Sequence, residues 1–451
     1  MDVKGVLFAA SLFLISVFGC IHPTYNVKED GQMPEPRPSV QQDNNTLVFI
    51  ALSGGGTRAA AMSWKVLEVL KGIPFEYQVK GKKFSSNLAH EIDYISGISG
   101  GSFTAAAWCL FKKDMNHFND IFIKRNIQAE LIWGIFLPPW HLYKLISPYY
   151  DRMHMAAELY DETVFDKKTF GDLPSHPVLW INATDLALGR RFTYTKKCFD
   201  MLHSNLLKYP IGYACAASSA FPILLSPMTL INYEGSDDPG KEIKYQMAKR
   251  NRRKNVESDY YCKTRDFFND KSNRYIHLAD GGLVDNQGLQ IIIDQFESNG
   301  IINKRLNDKN NPLKRLIIIN VNAGVHQTDK SCQSEASPGV SSVIAYSMVT
   351  SMDRLSAKRW MRIRGLCNDV YKGVMDLRES TPSLSRLEKP YTIEINFRNI
   401  KSKSDREKCN KLPTSFYLKK AELNIISRVV PTLVNEAPEM IRLKKKLGNI
   451  K

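Results

Sequence analysis

Apolar residues in this chain gather into short, dense runs. Thr46-Leu-Val-Phe-Ile-Ala-Leu52, Val178-Leu-Trp-Ile-Asn-Ala183 and Leu316-Ile-Ile-Ile-Asn-Val321 hold few polar positions. Runs of that length with no polar face predict strands covered on both sides, as in a parallel sheet under helices. Glu91–Ile95 predicts a strand end, and Arg191–Thr195, Tyr275–Ala279 and Tyr391–Phe397 predict three more strands. Between them lie helical stretches at Met62–Leu70, Phe103–Phe111, Ile211–Pro222 and Gln290–Glu297. Ser415–Leu447 predicts a mostly helical end, interrupted at Pro431 and Pro438. Strands alternating with helices place the chain in the α/β class.

Glycine-rich turns follow three of these strands. Gly97-Ile98-Ser99-Gly100-Gly101 fits G-x-S-x-G, which sets a serine on a sharp turn between a strand and a helix. The helix N-terminus that follows offers free N–H groups to a developing oxyanion. Upstream, Thr46–Leu52 leads into Ser53-Gly54-Gly55-Gly56-Thr57-Arg58-Ala59, a loop whose backbone N–H groups can face an anion. Such a loop serves as an oxyanion hole for a nucleophile elsewhere. It also fits, as Gly54-x-Gly56-x-x-Ala59, a variant of the dinucleotide-binding fingerprint, or it is simply a tight turn. The dinucleotide use wants an acidic residue ending a second parallel strand about twenty residues on. Glu76 stands near that distance, but Gly72–Tyr77 makes a poor parallel strand. Two successive strand–helix units put both turns on one edge of a parallel sheet, so Ser99 can sit beside Gly54, Gly55 and Gly56. The third turn is Asp280-Gly281-Gly282-Leu-Val-Asp285-Asn286. Asp280, at the strand end, is placed as a base for Ser99, and Asp285 is its rival.

The N-terminus bears on the compartment. Val6–Phe18 is an apolar run of signal-peptide length, too short to span a bilayer well. It ends in Gly19-Cys20, which resembles the lipobox of bacterial lipoproteins, although Val17 and Phe18 depart from its usual residues. That resemblance implies a signal peptide over 1–19, lipid on Cys20, and a polar, proline-containing tether to residue 45. An ordinary secretory signal or an N-terminal anchor is the alternative. On the lipoprotein reading the body is exported and held by lipid at a bacterial outer membrane or its periplasmic face.

Composition adds a partner class. Lys and Arg number 62 against 46 Asp and Glu, a formal charge of +16, which favours anionic partners. There is no zinc-like Cys/His spacing and no compact nucleic-acid motif, so an anionic membrane surface is preferred to nucleic acid, and no metal or cofactor is expected. Of the eight cysteines, Cys109 and Cys215 fall in small-residue apolar helices and predict core positions. The aromatic-rich stretch Asn126–Tyr150 reads as a lid facing lipid or as an irregular cover for the core. Residues 232–274 are polar and contain Lys249-Arg-Asn-Arg-Arg-Lys254. They read as a basic surface insertion, either solvated or touching anionic headgroups.

Taken in order, Ser53-Gly-Gly-Gly-Thr-Arg58, Gly97-Ile-Ser99-Gly-Gly101 and Asp280-Gly-Gly282 resemble the patatin-like phospholipase family. The first motif is also similar to the cytosolic phospholipase A2 catalytic domain. The resemblance runs from about Thr46 to about Val321, and Leu412-Pro-Thr-Ser-Phe416 is similar to bacterial lipoprotein members. Ala59 departs from the many relatives that have glycine. The resemblance implies a three-layer α/β/α fold with a mainly parallel central sheet. It would occupy 46–451, with a core of about 46–325 and a mainly helical part over 326–451. It implies Ser99 as nucleophile, Asp280 as base in a histidine-free dyad, and Gly54, Gly55 and Gly56 as oxyanion hole. Arg58 would meet a phosphate or hold the loop. The activity implied is phospholipase A-type acyl hydrolysis of a phospholipid or other lipid ester through an acyl-enzyme.

Two other readings stand beside it. One is an α/β-hydrolase-type esterase with a Ser–Asp–His triad using His326, though only about two strands precede Ser99. The other is a non-catalytic lipoprotein that binds membrane through its basic face.

Overall fold

The computed structural model describes residues 26–29, 45–79, 82–111, 114–136, 151–222, 225–233, 246–250, 256–297, 300–308, 313–325, 335, 337, 339–379 and 386–448. The dense apolar runs become the inner strands of one sheet. In chain order the strands are β1 (Thr46–Leu52), β2 (Pro74–Val79), β3 (Lys82–Asn87), β4 (Tyr94–Ile98), β5 (Val178–Asp185), β6 (Arg190–Thr193), β7 (Met228–Ile231), β8 (Tyr275–Asp280), β9 (Arg315–Asn322) and β10 (Tyr391–Asn396). The main sheet runs β10-β9-β1-β4-β5-β8-β7, with β6 paired to β5. From β10 through β5 every pairing is parallel, whereas β6, β8 and β7 pair antiparallel.

Both faces of the sheet are covered, because side chains alternate along a strand. Val48, Ile50, Leu52, Ile317, Ile319 and Val321 point into one core layer. Leu47, Phe49, Leu316 and Ile318 point into the other. The helices that matter here are α1 (Gly56–Lys71), α2 (Gly100–Phe111), α3 (Arg152–Thr163), α4 (Ile211–Ser218), α5 (Val256–Asn269), α6 (Val340–Glu379), α7 (Lys420–Glu436) and α8 (Pro438–Leu447). Residues of α1 to α4, α7 and α8 line the first layer. Trp360, Ile363 and Cys367 of α6 join Leu289 and Ile292 in the second. The result is the expected three-layer α/β/α arrangement around a mostly parallel sheet.

Several details differ from the sequence reading. Glu76 lies in β2, which pairs only with β3 in a separate antiparallel hairpin, so the strand required for dinucleotide binding is absent from that place. Pro431 sits inside α7 instead of ending it, because the helix buries an apolar stripe of Ile425, Val429, Val430 and Leu433 that outweighs one lost hydrogen bond. Pro438 begins α8. The strand expected at Tyr391–Phe397 does form, as β10, and joins the sheet parallel to β9. Within the polar insertion, α5 buries Cys262 and Phe268; residues 251–255 lie outside the described residues. In Asn126–Tyr150 the chain forms a helix at Ile127–Phe136, and 137–150 lie outside the described residues.

Cys20 and the rest of 1–25 also lie outside the described residues. In the expected tether, residues 26–29 are docked. Asn26 accepts from the Ile231 N–H at 2.7 Å, donates to the Ile231 carbonyl at 2.9 Å, and its own carbonyl accepts from the Tyr233 hydroxyl at 2.6 Å. Cys109 and Cys215 are core residues as expected, and the six described cysteines are all free thiols. No helix among the described residues is long and apolar enough to cross a membrane.

Ile319 is fully buried and pairs with Ile50 on one side and Ile393 on the other. Ile319→Ala is expected to cost about 2–5 kcal/mol through the lost burial and the cavity it leaves. A urea midpoint unchanged from wild type would contradict this packing.

Candidate active site

The site is built where β1, β4 and β8 end. Ser99 follows β4 directly and precedes α2, so it occupies the whole turn. Its φ of 49° lies in the left-handed region, a strain of about 1 kcal/mol or more that a non-glycine residue bears only when its surroundings hold it. Ser102 supplies part of that hold: its N–H and its hydroxyl both donate to the Ser99 carbonyl, at 2.9 and 2.6 Å. Ser99 is 8% exposed. A Cβ added at Gly100 would strike the Gly56 carbonyl, so the serine turn lies directly on the glycine loop.

Asp280 reaches the same place from the opposite direction. Because β8 runs antiparallel to β5, its last residue pairs with Ala183, one step beyond the Ile98–Asn182 pair of β4 and β5. That register brings the end of β8 level with Ser99. The carboxylate is buried and accepts from the Gly282 N–H at 2.7 Å, and the Ser99 side chain lies close enough to favour its charged form. Its pKa is pushed up to about 6, chiefly by burial; Gly282 and Ser99 pull the other way. On the backbone, Asp280 donates to the Ala220 carbonyl at 2.9 Å and accepts from the Thr184 hydroxyl at 2.8 Å.

Ser218, at the end of α4, ties the two turns together. Its hydroxyl accepts from the Ser99 N–H at 2.9 Å and donates to the Asn182 carbonyl at 2.6 Å. Its own carbonyl accepts from the Gly281 N–H at 3.2 Å. Ala216–Ser219 offers only a small-residue pattern, which signals close packing and not a polar brace.

The glycine loop lies alongside. A Cβ on Gly54 would come within 3.4 Å of the Ser99 Cβ. The Gly54 N–H donates to the Asn286 carbonyl at 2.9 Å, which leaves Gly55 and Gly56. Among the described residues neither of those two amides has a hydrogen-bond acceptor. Both residues have positive φ, 136° and 61°. Arg58 is buried beneath the loop. It donates to the Ala323 carbonyl at 3.0 Å and the Leu412 carbonyl at 2.8 Å. Burial lowers its pKa to about 10 although Asp353 pulls it up. Arg58 therefore holds the loop in this structure. The Leu412–Phe416 segment braces it further, since the Ser415 carbonyl accepts from the Thr57 N–H at 2.9 Å.

Asp285 faces elsewhere. It accepts from the Gln290 N–H at 2.7 Å and pairs with Arg359 at 3.9 Å. His326 lies outside the described residues, and no described histidine acts on Asp280. Among the described residues no group of His, Cys, Asp or Glu is arranged to hold a metal. A cleft of about 500 Å³ is lined in part by Arg152, Leu186, Ala220, Leu225 and Ala279; neither Ser99 nor Asp280 lines it.

A family model described as patatin-like phospholipase matches residues 50–293. No curated protein matches the chain. Among solved structures it is similar to human GIVD cytosolic phospholipase A2 in complex with methyl gamma-linolenyl fluorophosphonate. The identity there is 11% and the TM-score 0.40, over 91% of this chain and 60% of that one. It is also similar to VipD from Legionella pneumophila, at 12% identity and TM-score 0.28, over 97% of this chain and 72% of that one. The chain thus spans three fifths of the length of the human structure.

An acid with a raised folded-state pKa binds its proton more tightly when folded, so stability falls as pH rises from the unfolded value toward about 6. Above that, ionised Asp280 costs about 3 kcal/mol. Asp280→Asn is therefore expected to be more stable than wild type near pH 8, by about 2–3 kcal/mol, and equal to it near pH 4. Urea unfolding at both values checks this; a variant less stable at both would refute it.

Proposed function

The chain belongs to the patatin-like phospholipase family, and from that premise we propose that it hydrolyses fatty acyl esters of phospholipids, with Ser99 as nucleophile and Asp280 as base. The observation that carries this reading is the register that brings the Ser99 turn level with a buried carboxylate, Asp280, whose pKa is raised to about 6. That value leaves Asp280 ionised at neutral pH yet basic enough to take a proton.

The Ser99 hydroxyl gives its proton to Asp280 as its oxygen attacks the ester carbonyl. The oxygen of the tetrahedral intermediate accepts from the Gly55 and Gly56 N–H groups, and the N-terminus of α2 adds positive potential. Collapse breaks the ester bond, and the lysophospholipid alkoxide leaves with the proton from Asp280. Asp280 then deprotonates water, which attacks the acyl-enzyme. The fatty acid departs and Ser99 recovers its proton. Arg58 acts here as a loop clamp, its donors being turned to Ala323 and Leu412.

For localisation, the reading is a lipoprotein anchored through Cys20. With Asn26 docked, the six residues from Cys20 span about 20 Å at most, which keeps the body close to the membrane.

Fatty acid release from mixed phospholipid vesicles tests the reading. Ser99→Ala and Asp280→Asn are expected to lose at least about a thousandfold, with His326→Ala unchanged. Wild-type kcat/KM should fall as pH drops below about 6, where Asp280 takes up its proton. Loss in His326→Ala would favour the triad, and equal rates in wild type and Ser99→Ala would favour a binding protein.

Ser218 is a positioning residue. Ser218→Ala leaves the buried Ser99 N–H without its acceptor, a cost of about 1–3 kcal/mol at the turn. We expect kcat to fall about tenfold or more with KM little changed; a KM effect alone would show that Ser218 serves substrate binding instead.

A further inference from the structure

Helix α6 is forty residues long, about 60 Å, and only part of it lies on the body. From Met352 onward it docks through a stripe at helical spacing: Ser356, Trp360, Ile363 and Cys367 are buried. The next position of that stripe toward the N-terminus is Val349, and it is 48% exposed. Ser347, Thr350 and Ser351 are exposed too, as is Val343 at 48%. Among the described residues of Val340–Ser351, each side chain is exposed, so the described part of this segment has no packing partner among the described residues.

Two observations say what covers this overhang. The sequence from Val340 to Met352 contains no charged residue, whereas Arg354, Lys358 and Arg362 follow at four-residue spacing and are all exposed. An uncharged helix tip backed by a row of cations is complementary to an anionic bilayer: apolar groups below the headgroups, cations among them. The overhang also starts at the site. A Cβ on Gly282 would lie 2.7 Å from the Met352 Cε, and Asp353 acts on Arg58.

We propose that the N-terminal overhang of α6 is a membrane-docking element that enters an anionic phospholipid surface beside the Ser99–Asp280 turn, with Arg354, Lys358 and Arg362 at the headgroups. The inference rests on the lipid-hydrolase reading only for its purpose, since docking is measurable without turnover.

The test uses the full chain carrying Cys20→Ser, so that no acyl anchor contributes. Co-sedimentation is measured with vesicles of phosphatidylcholine alone and with phosphatidylglycerol added. Hydrolysis of a dispersed short-chain ester serves as the folding control. Binding should require phosphatidylglycerol and weaken at high salt. Val343→Asp/Val349→Asp and Arg354→Glu/Lys358→Glu/Arg362→Glu should each bind at least about tenfold more weakly while still turning over the dispersed ester. Wild-type affinity in both variants would overturn the proposal. So would a wild-type dimer that Val343→Asp/Val349→Asp dissolves with vesicle binding unchanged, which would make the overhang a contact between copies. If wild type hydrolyses neither vesicles nor the dispersed ester, the enzymatic reading fails, and the sedimentation result still decides the docking.

Discussion

The Asp280 carboxylate has to be buried and yet able to ionise, and the geometry around it follows from that demand. Burial raises its pKa to about 6, so its charged form needs donors close by. The Gly282 N–H and the Ser99 side chain supply them. Neither donor can be moved far. Gly282 follows within the same turn, and Ser99 is fixed by a left-handed backbone that Ser102 and Ser218 hold from two sides. A neutral residue at 280 would be easier to fold around; a charge there is maintained at a cost in stability.

The close approach of the turns is a backbone matter. The serine turn and the glycine loop touch through Gly100 and the Gly56 carbonyl, where a single methyl group would force them apart. Separation by even one ångström would remove the Gly55 and Gly56 amides from reach of an oxygen held by Ser99. The loop is stiffened from below by Arg58 and from the side by Ser415, so residues far along the chain set the position of two N–H groups.

Much of this was legible in the sequence, for a physical reason. Strands buried on both faces must be apolar at nearly every position, so β1, β5 and β9 stand out. Turns that need positive φ or close approach must be glycine, so the three turns stand out too. Direction was not legible. Tyr275–Asp280 gives no sign that β8 runs antiparallel, although that reversal is what brings Asp280 level with Ser99. Ser218 was hidden because a hydroxyl in a run of alanines reads as a small packing residue. Arg58 was seen as a choice between phosphate and loop; only the Ala323 and Leu412 carbonyls, remote in sequence, reveal the clamp. Helix α6 escaped because its tip has no charged face, and its serines and threonine do not stand out as an amphipathic pattern.

That blank pattern carries meaning once the packing is known. A helix segment in water normally shows a polar face, and one on a core shows a buried stripe. The α6 overhang has no charged face and no described buried stripe: its sequence is uncharged for thirteen residues and its described positions before Met352 are exposed. Placed next to a turn that holds a buried carboxylate, such a segment resolves a second conflict at the same edge. On the proposed activity a lipid ester would have to leave a bilayer to reach Ser99, and exposure of its acyl chain to water on the way would add to the barrier. On the proposed docking, an uncharged helix segment that runs up to Met352, beside Gly282, would shorten that path by bringing the site to the lipid.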